Sequence, residues 1–244
     1  MDVLEGALWG FVGGFALILG AVIALVHEMS RAAVGYILAF GAGVLISALT
    51  FDLTEEAFAT GGTAPTAAGL LLGGAVFVAG DALIGRREMR AQMRAGTMRE
   101  EQGNPAALAL GAILDGIPES FVIGASVTHG DGVALPVVVA VFLSNVPESL
   151  AAGAGFRRLG WTSRQTIGLW VKVTIVAMVA AMLGAVVADT IQDRWFSFVN
   201  AFAAGAVLAM IADNMIPDAF REAGRWAGFI TVAGFALAFL ISTA

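Results

Sequence analysis

The sequence predicts an all-α polytopic membrane protein with eight transmembrane helices in a 3+2+3 arrangement and inverted repeats over spans 1–3 and 6–8. Three observations lead there: a composition too apolar for water, apolar runs of membrane-spanning length, and a likeness between the first and last parts of the chain. Of 244 residues, 59% are hydrophobic and 13% charged, with a mean hydropathy of +0.87. A soluble domain holds about 45–50% apolar and about 25% charged residues. The 31 glycines agree, because small residues let membrane helices approach closely.

Crossing the hydrocarbon takes roughly 20 residues. On that measure spans fall near 4–26, 32–51, 66–84, 106–128, 133–154, 166–188, 196–217 and 224–243, in a single transmembrane domain over 1–244. The first run opens Met1-Asp2-Val3-Leu4-Glu5 without a basic segment, so it reads as a retained helix and not a cleaved signal. The loop 86–104 between spans three and four is rich in Arg and Met and is expected to be cytoplasmic and mobile or weakly helical. Arg31, Arg86, Arg87, Arg90, Arg94, Arg99, Arg157, Arg158, Arg164, Arg221 and Arg225 fall on one side of the bilayer. Only Arg194 lies in a loop on the other side, and Lys172 is inside span six, where it either offsets acids or snorkels to the surface. The positive-inside rule then leaves both termini outside the cytoplasm, in a cytoplasmic (inner) membrane.

Without cysteine there is no disulfide framework and no thiolate metal site. The net charge of -6 comes mostly from acids at helix ends and inside apolar runs, so nucleic acid is not an expected partner. The lipid bilayer is one, and a homodimer is compatible with the chain.

Leu19-Gly20-Ala21-Val22-Ile23-Ala24 in span one is similar to Leu183-Gly184-Ala185-Val186-Val187-Ala188 in span six. Gly41 to Phe58 in span two is similar to Ala203 to Phe220 in span seven, ending Glu56-Ala57-Phe58 against Asp218-Ala219-Phe220. The paired spans run in opposite directions, as in transporters whose site lies at a repeat interface. Chance likeness among Ala/Gly/Leu-rich helices is the competing explanation.

Near the middles of spans four and five stand Asp115-Gly116-Ile117-Pro118-Glu119-Ser120 and Ser144-Asn145-Val146-Pro147-Glu148-Ser149. A carboxylate at that depth is costly, and a proline there opens the helical ladder, so meeting both twice points to a site. Asp115 with Glu119, and Ser144 with Glu148, are four apart and share a face. Pro118 and Pro147 leave the carbonyls of Leu114 and Leu143 available to a cation or water. The turn Thr128-His129-Gly130-Asp131-Gly132 between the spans sets their midpoints at similar depth. A divalent cation would satisfy these oxygens, as would protonation or hydrogen bonding that makes the glutamates interhelical glue. Asp52, Glu55, Glu56, Asp213 and Asp218 extend a line of acids from one membrane surface to the other, each equally readable as a solvated helix end. His27 and His129 lie at opposite surfaces and cannot share an ion.

At these residues the chain resembles the ZIP family of divalent-metal transporters (Zrt/Irt-like proteins), as a divergent prokaryotic member. The family carries His-Asn-x-Pro-Glu-Gly in span four and a related Pro-Glu segment in span five. The likeness extends through Gly41-Ala42-Gly43-Val44 to Asp52-Leu53 and through Phe202 to Asp218, so it covers essentially the whole chain. It implies the three-two-three arrangement, metal carried on spans four and five, and movement into the cytoplasm. The departures are that Asp115 and Ser144 stand where histidines are usual, Gly116 replaces the asparagine, and Ala181 stands where span six often supplies a glutamate. The expected ligand set is therefore oxygen-only: Asp115, Glu119, Asn145 and Glu148, with Ser144 weaker. Such donors favour hard ions over zinc.

The expected activity is divalent cation transport, with zinc, manganese or iron as substrate and no organic cofactor. The alternatives are the same fold with another substrate (a hard cation or a non-metal solute) or a regulatory role without transport. An intramembrane hydrolase is disfavoured, since neither His-Glu-x-x-His nor Gly-x-Ser-x-Gly occurs.

Overall fold

The structure, a computed structural model, describes residues 2–27, 29–95, 105–127 and 135–242, with the side chains of 2, 84–95, 105–112, 114, 115, 136 and 158 outside that description. Every described element is helical: α1 (Asp2–Val26), α2 (Arg31–Ala48), α3 (Glu55–Gly61), α4 (Thr63–Ala95), α5 (Pro105–Ser126), α6 (Leu135–Arg158), α7 (Ser163–Thr190), α8 (Asp193–Met210), α9 (Ile216–Ala223) and α10 (Ala227–Ser242). Helix starts follow the sequence: Ser30 caps α2 by accepting from the Ala33 N–H, and Thr162 forms a capping box with Gln165 at α7. Among the described residues six stretches are long and apolar enough to cross a membrane: Val3–Val26, Arg31–Gly61, Thr63–Leu83, Val137–Arg157, Ser163–Thr190 and Asp193–Ser242.

Two expected boundaries move. A π-helical turn, Leu49–Thr54, joins α2 to α3, and another, Ile211–Met215, joins α8 to α9. The helical path thus runs on from the expected ends near 51 and 217 to Gly61 and Ala223. Asp52, Glu55 and Glu56 lie inside a helix and not at a frayed terminus. Gly62 (φ 79°) and Gly224 (φ 65°) stop the two paths, their N–H groups returning to the carbonyls of Phe58 and Phe220. The offset that carries Leu49 to Ile211 also carries Gly62 to Gly224. The matched stretches therefore share their local structure, and they lie antiparallel: Gly35 faces Ala223, and Gly61 faces Ser197. Helix α4 continues through Ala95, into the expected loop; residues 96–104 and the turn 128–132 with His129 lie outside the described residues.

Packing forms two groups of helices, joined chiefly where α2 lies against α6 and α5 against α8. Helix α1 lies on α6 and α7, with α5 on α7; α2 lies on α10 and α9, with α4 and α3 on α8. The crossings depend on glycine. A Cβ on Gly43 would strike the Thr231 carbonyl, and one on Gly234 the Phe40 carbonyl; Gly205 and Gly73 meet the Leu70 and Phe202 carbonyls in the same way. Without a hydrophobic drive between helices in lipid, such close backbone contact supplies the association.

Gly43→Ala and Gly205→Ala should each lower stability by about 1–3 kcal/mol. Gly74→Ala should be nearly neutral, because its added Cβ meets nothing nearer than the Gly205 carbonyl at 3.4 Å. Thermal unfolding in detergent checks this, and equal melting of all three variants would refute the glycine-crossing account.

Candidate functional site

The two Pro-Glu segments lie inside continuous helices, Pro118 in α5 and Pro147 in α6. Membrane helices tolerate such prolines because neighbouring groups satisfy what the proline frees. The contacts of α1 and α7 give the relative direction of α5 and α6. Gly116 and Gly124 face Val173 and Ala181, so α5 and α7 run parallel; Gly6 and Gly14 face Ala185 and Thr174, so α1 and α7 run antiparallel. Gly13 faces Val141 and Gly20 faces Val146, so α1 and α6 run parallel. Hence α5 and α6 are antiparallel. Gly13 lies against both Ile123 of α5 (3.0 Å) and Val141 of α6 (3.5 Å), measured from a Cβ built on it. Glu119 precedes Ile123 by four residues, and Glu148 follows Asn145 by three. Measured from Ile123 and from Val141, Glu119 is displaced from the Gly13 level by about one turn and Glu148 by about two, towards the same side.

Glu119 is 3% exposed, Ser144 1% and Asn145 4%, while Glu148 is half-buried. Asp115 belongs to α5, and its side chain lies outside the described residues. Among the described residues, no three Asp, Glu, His or Cys side chains gather as a ligand set.

Asn145 Nδ2 donates to the Gly13 carbonyl at 3.0 Å, which leaves Oδ1 as the atom able to turn towards a cation. One residue on, Thr174 Oγ1 donates to the Gly14 carbonyl at 2.9 Å. Ser144 Oγ donates to the Val141 carbonyl at 2.9 Å, and Ser149 Oγ to that of Asn145 at 2.8 Å. Ser144 is thus already engaged within its own helix. Helix α2 reaches the segment through Gly41, whose added Cβ would lie 3.2 Å from Pro147 Cγ and 3.5 Å from Met215 Cε. The sequence reading missed Gly13, Gly14, Thr174 and Met215; the adjacent glycines mid-span are the one signal that pointed to a close approach there.

The other acids have local partners. Ser242 Oγ donates to Asp52 at 2.9 Å, Asn200 Nδ2 to Glu56 at 3.2 Å, and Arg221 pairs with Asp218 at 2.7 Å. Asp213 is exposed. Lys172 is exposed on α7 beside Val171, opposite the buried stripe of that helix, so it does not offset the glutamates.

Long apolar helices that bury polar and acidic groups among themselves define a membrane-embedded helical protein. No family model matches the chain. A protein of Arabidopsis thaliana named "Putative zinc transporter At3g08650" is 26% identical over 226 residues, which cover 91% of this chain and 36% of the plant protein. The chain thus spans little more than a third of that relative's length.

Asn145→Ala should lower stability by about 1–2 kcal/mol through loss of the tie between α6 and α1. Thermal unfolding of the purified variant measures it; melting at the wild-type temperature would show that the bond contributes nothing.

Proposed function

We propose that the chain is a ZIP-like transporter that carries a divalent cation into the cytoplasm. It has eight spans, inverted repeats and both termini outside. The observation that carries this reading is a glutamate after a mid-helix proline on each of two antiparallel helices, one of them buried, both displaced to the same side of the Gly13 crossing. The shared π-turns and stop glycines of the matched stretches support the repeat, and the name of the plant relative supports metal as the substrate class.

In this reading the carboxylates of Glu119 and Glu148 bind the cation, with Asp115, Asn145 Oδ1 and, more weakly, Ser144 completing an oxygen shell. Two carboxylates in a medium of low dielectric attract a divalent ion strongly, and a shell without imidazole favours manganese, magnesium or calcium over zinc. Weak binding suits a transporter, since the ion must also leave. The absence of histidine at 115 and 144 favours, as second reading, the same fold with another substrate or a regulatory role.

Purified protein in vesicles should take up manganese, iron or zinc, and Glu119→Gln with Glu148→Gln should reduce uptake at least about 100-fold while leaving the fold intact. Wild-type uptake by the double variant would remove the site. Folded protein that moves none of these ions would favour the second reading.

A further inference from the structure

Helix α7 carries two cations on its outer side that the rest of the described protein does not answer. Arg164 and Lys172 are exposed, and neither has an ion-pair or hydrogen-bond partner among the described residues. Their spacing puts them about 12 Å apart along the helix axis and within about 80° of each other around it. Gly168 lies midway, four residues from each, and a Cβ built on it meets no atom within 4 Å. Beyond Lys172 the same side of the helix is apolar: Ile175, Val179 and Leu183 are 54%, 50% and 55% exposed. The opposite side is the buried stripe that includes Thr166, Trp170 and Val173. Cations and apolar residues therefore share one surface, the one turned to lipid.

Lys172 stands deep on that surface. It is nine residues beyond Ser163, about 14 Å into the helix, and its neighbour Val173 faces Gly116 of the α5 Pro-Glu segment. An ammonium at such a depth needs an anion or a way to the membrane surface. Helical side chains lean towards the N-terminus, so the Lys172 stem can carry its ammonium back to the level of Gly168, towards Arg164. The two charges then flank the one position between them that has no side chain. What settles there must lie against lipid and carry negative charge. A phosphate on a diacylglycerol does both: its oxygens accept from the ammonium and the guanidinium, and its acyl chains run along Ile175, Val179 and Leu183. A zwitterionic headgroup fits less well, because its own cation is repelled by these two.

We propose that Arg164, Gly168 and Lys172 form a binding site for one anionic phospholipid. That the lipid belongs to the cytoplasmic leaflet rests on the orientation proposed above; the binding itself does not depend on transport.

Native mass spectrometry of the purified protein, titrated in detergent with phosphatidylglycerol or phosphatidylcholine, tests the site. Wild type should hold one phosphatidylglycerol about tenfold more tightly than phosphatidylcholine. Arg164→Gln with Lys172→Gln should abolish that preference, and Lys172→Arg should retain it. Arg31→Gln with Arg225→Gln, which removes two exposed charges from the same membrane surface outside α7, should leave it unchanged. No preference in wild type, or equal loss in the two double variants, would overturn the site, as would pairs of chains forming in place of lipid binding. Thermal unfolding of wild type gives a readout that needs no substitution: phosphatidylglycerol should raise the melting temperature more than phosphatidylcholine, and inorganic phosphate should not raise it. Equal shifts with both lipids, or a shift with phosphate alone, would overturn the assignment to an anionic lipid. A protein that binds the lipid and moves no ion supports this site while the transport reading fails.

Discussion

The bond from Asn145 Nδ2 to the Gly13 carbonyl is possible only where α1 and α6 come nearly into backbone contact, and most of the structure around the Pro-Glu segments follows from that approach. A side chain at Gly20 would collide with Ser149 and the Val146 carbonyl, so glycine at this place permits the contact as much as the hydrogen bond holds it. The next carbonyl, Gly14, accepts from Thr174. One turn of α1 thereby ties down α6 and α7 together, and α5 follows through its own glycine crossing with α7 at Gly124 and Gly184. In a lipid interior, where apolar surface gains little by leaving one greasy neighbour for another, this combination of close packing and interhelical hydrogen bonding is what selects helix partners.

The second group of helices uses the same physics with different residues. Glycine-to-carbonyl contacts join α2 to α10 and α4 to α8, while Ser197 donates to the Ala57 carbonyl and meets Thr66 across the α3–α4 junction. Between the groups, Gly41 of α2 lies against Pro147 of α6, close to the flexible thioether of Met215. Methionine tolerates shifting neighbours better than a branched side chain does.

Acid placement separates the candidate site from its surroundings. Asp52, Glu56 and Asp218 are each answered by a neutral or cationic side chain from the adjacent turn or a neighbouring helix, and this matches a structural role for each. Glu119 and Glu148 follow the mid-helix prolines of α5 and α6, the two helices that both pack against α1.

The sequence by itself determined the helical class, the presence of several apolar helices of membrane-spanning length and the two Pro-Glu segments, because these are local properties: hydrophobic length must match the bilayer, and a proline or carboxylate in such a run stands out wherever the helix goes. It also disclosed the likeness of Gly41–Phe58 to Ala203–Phe220, although not that both would carry a π-turn and run on to a stop glycine. Only the tertiary structure decided which helices touch, that the Asn145 amide turns to α1, that Lys172 faces outward, and that Thr166 and Trp170 are enclosed. Helices rich in Ala, Gly and Leu present many nearly equivalent faces, so local pattern cannot rank them. The choice among them is made by contacts between residues far apart in the chain, where a single missing Cβ or one interhelical hydrogen bond settles the pairing.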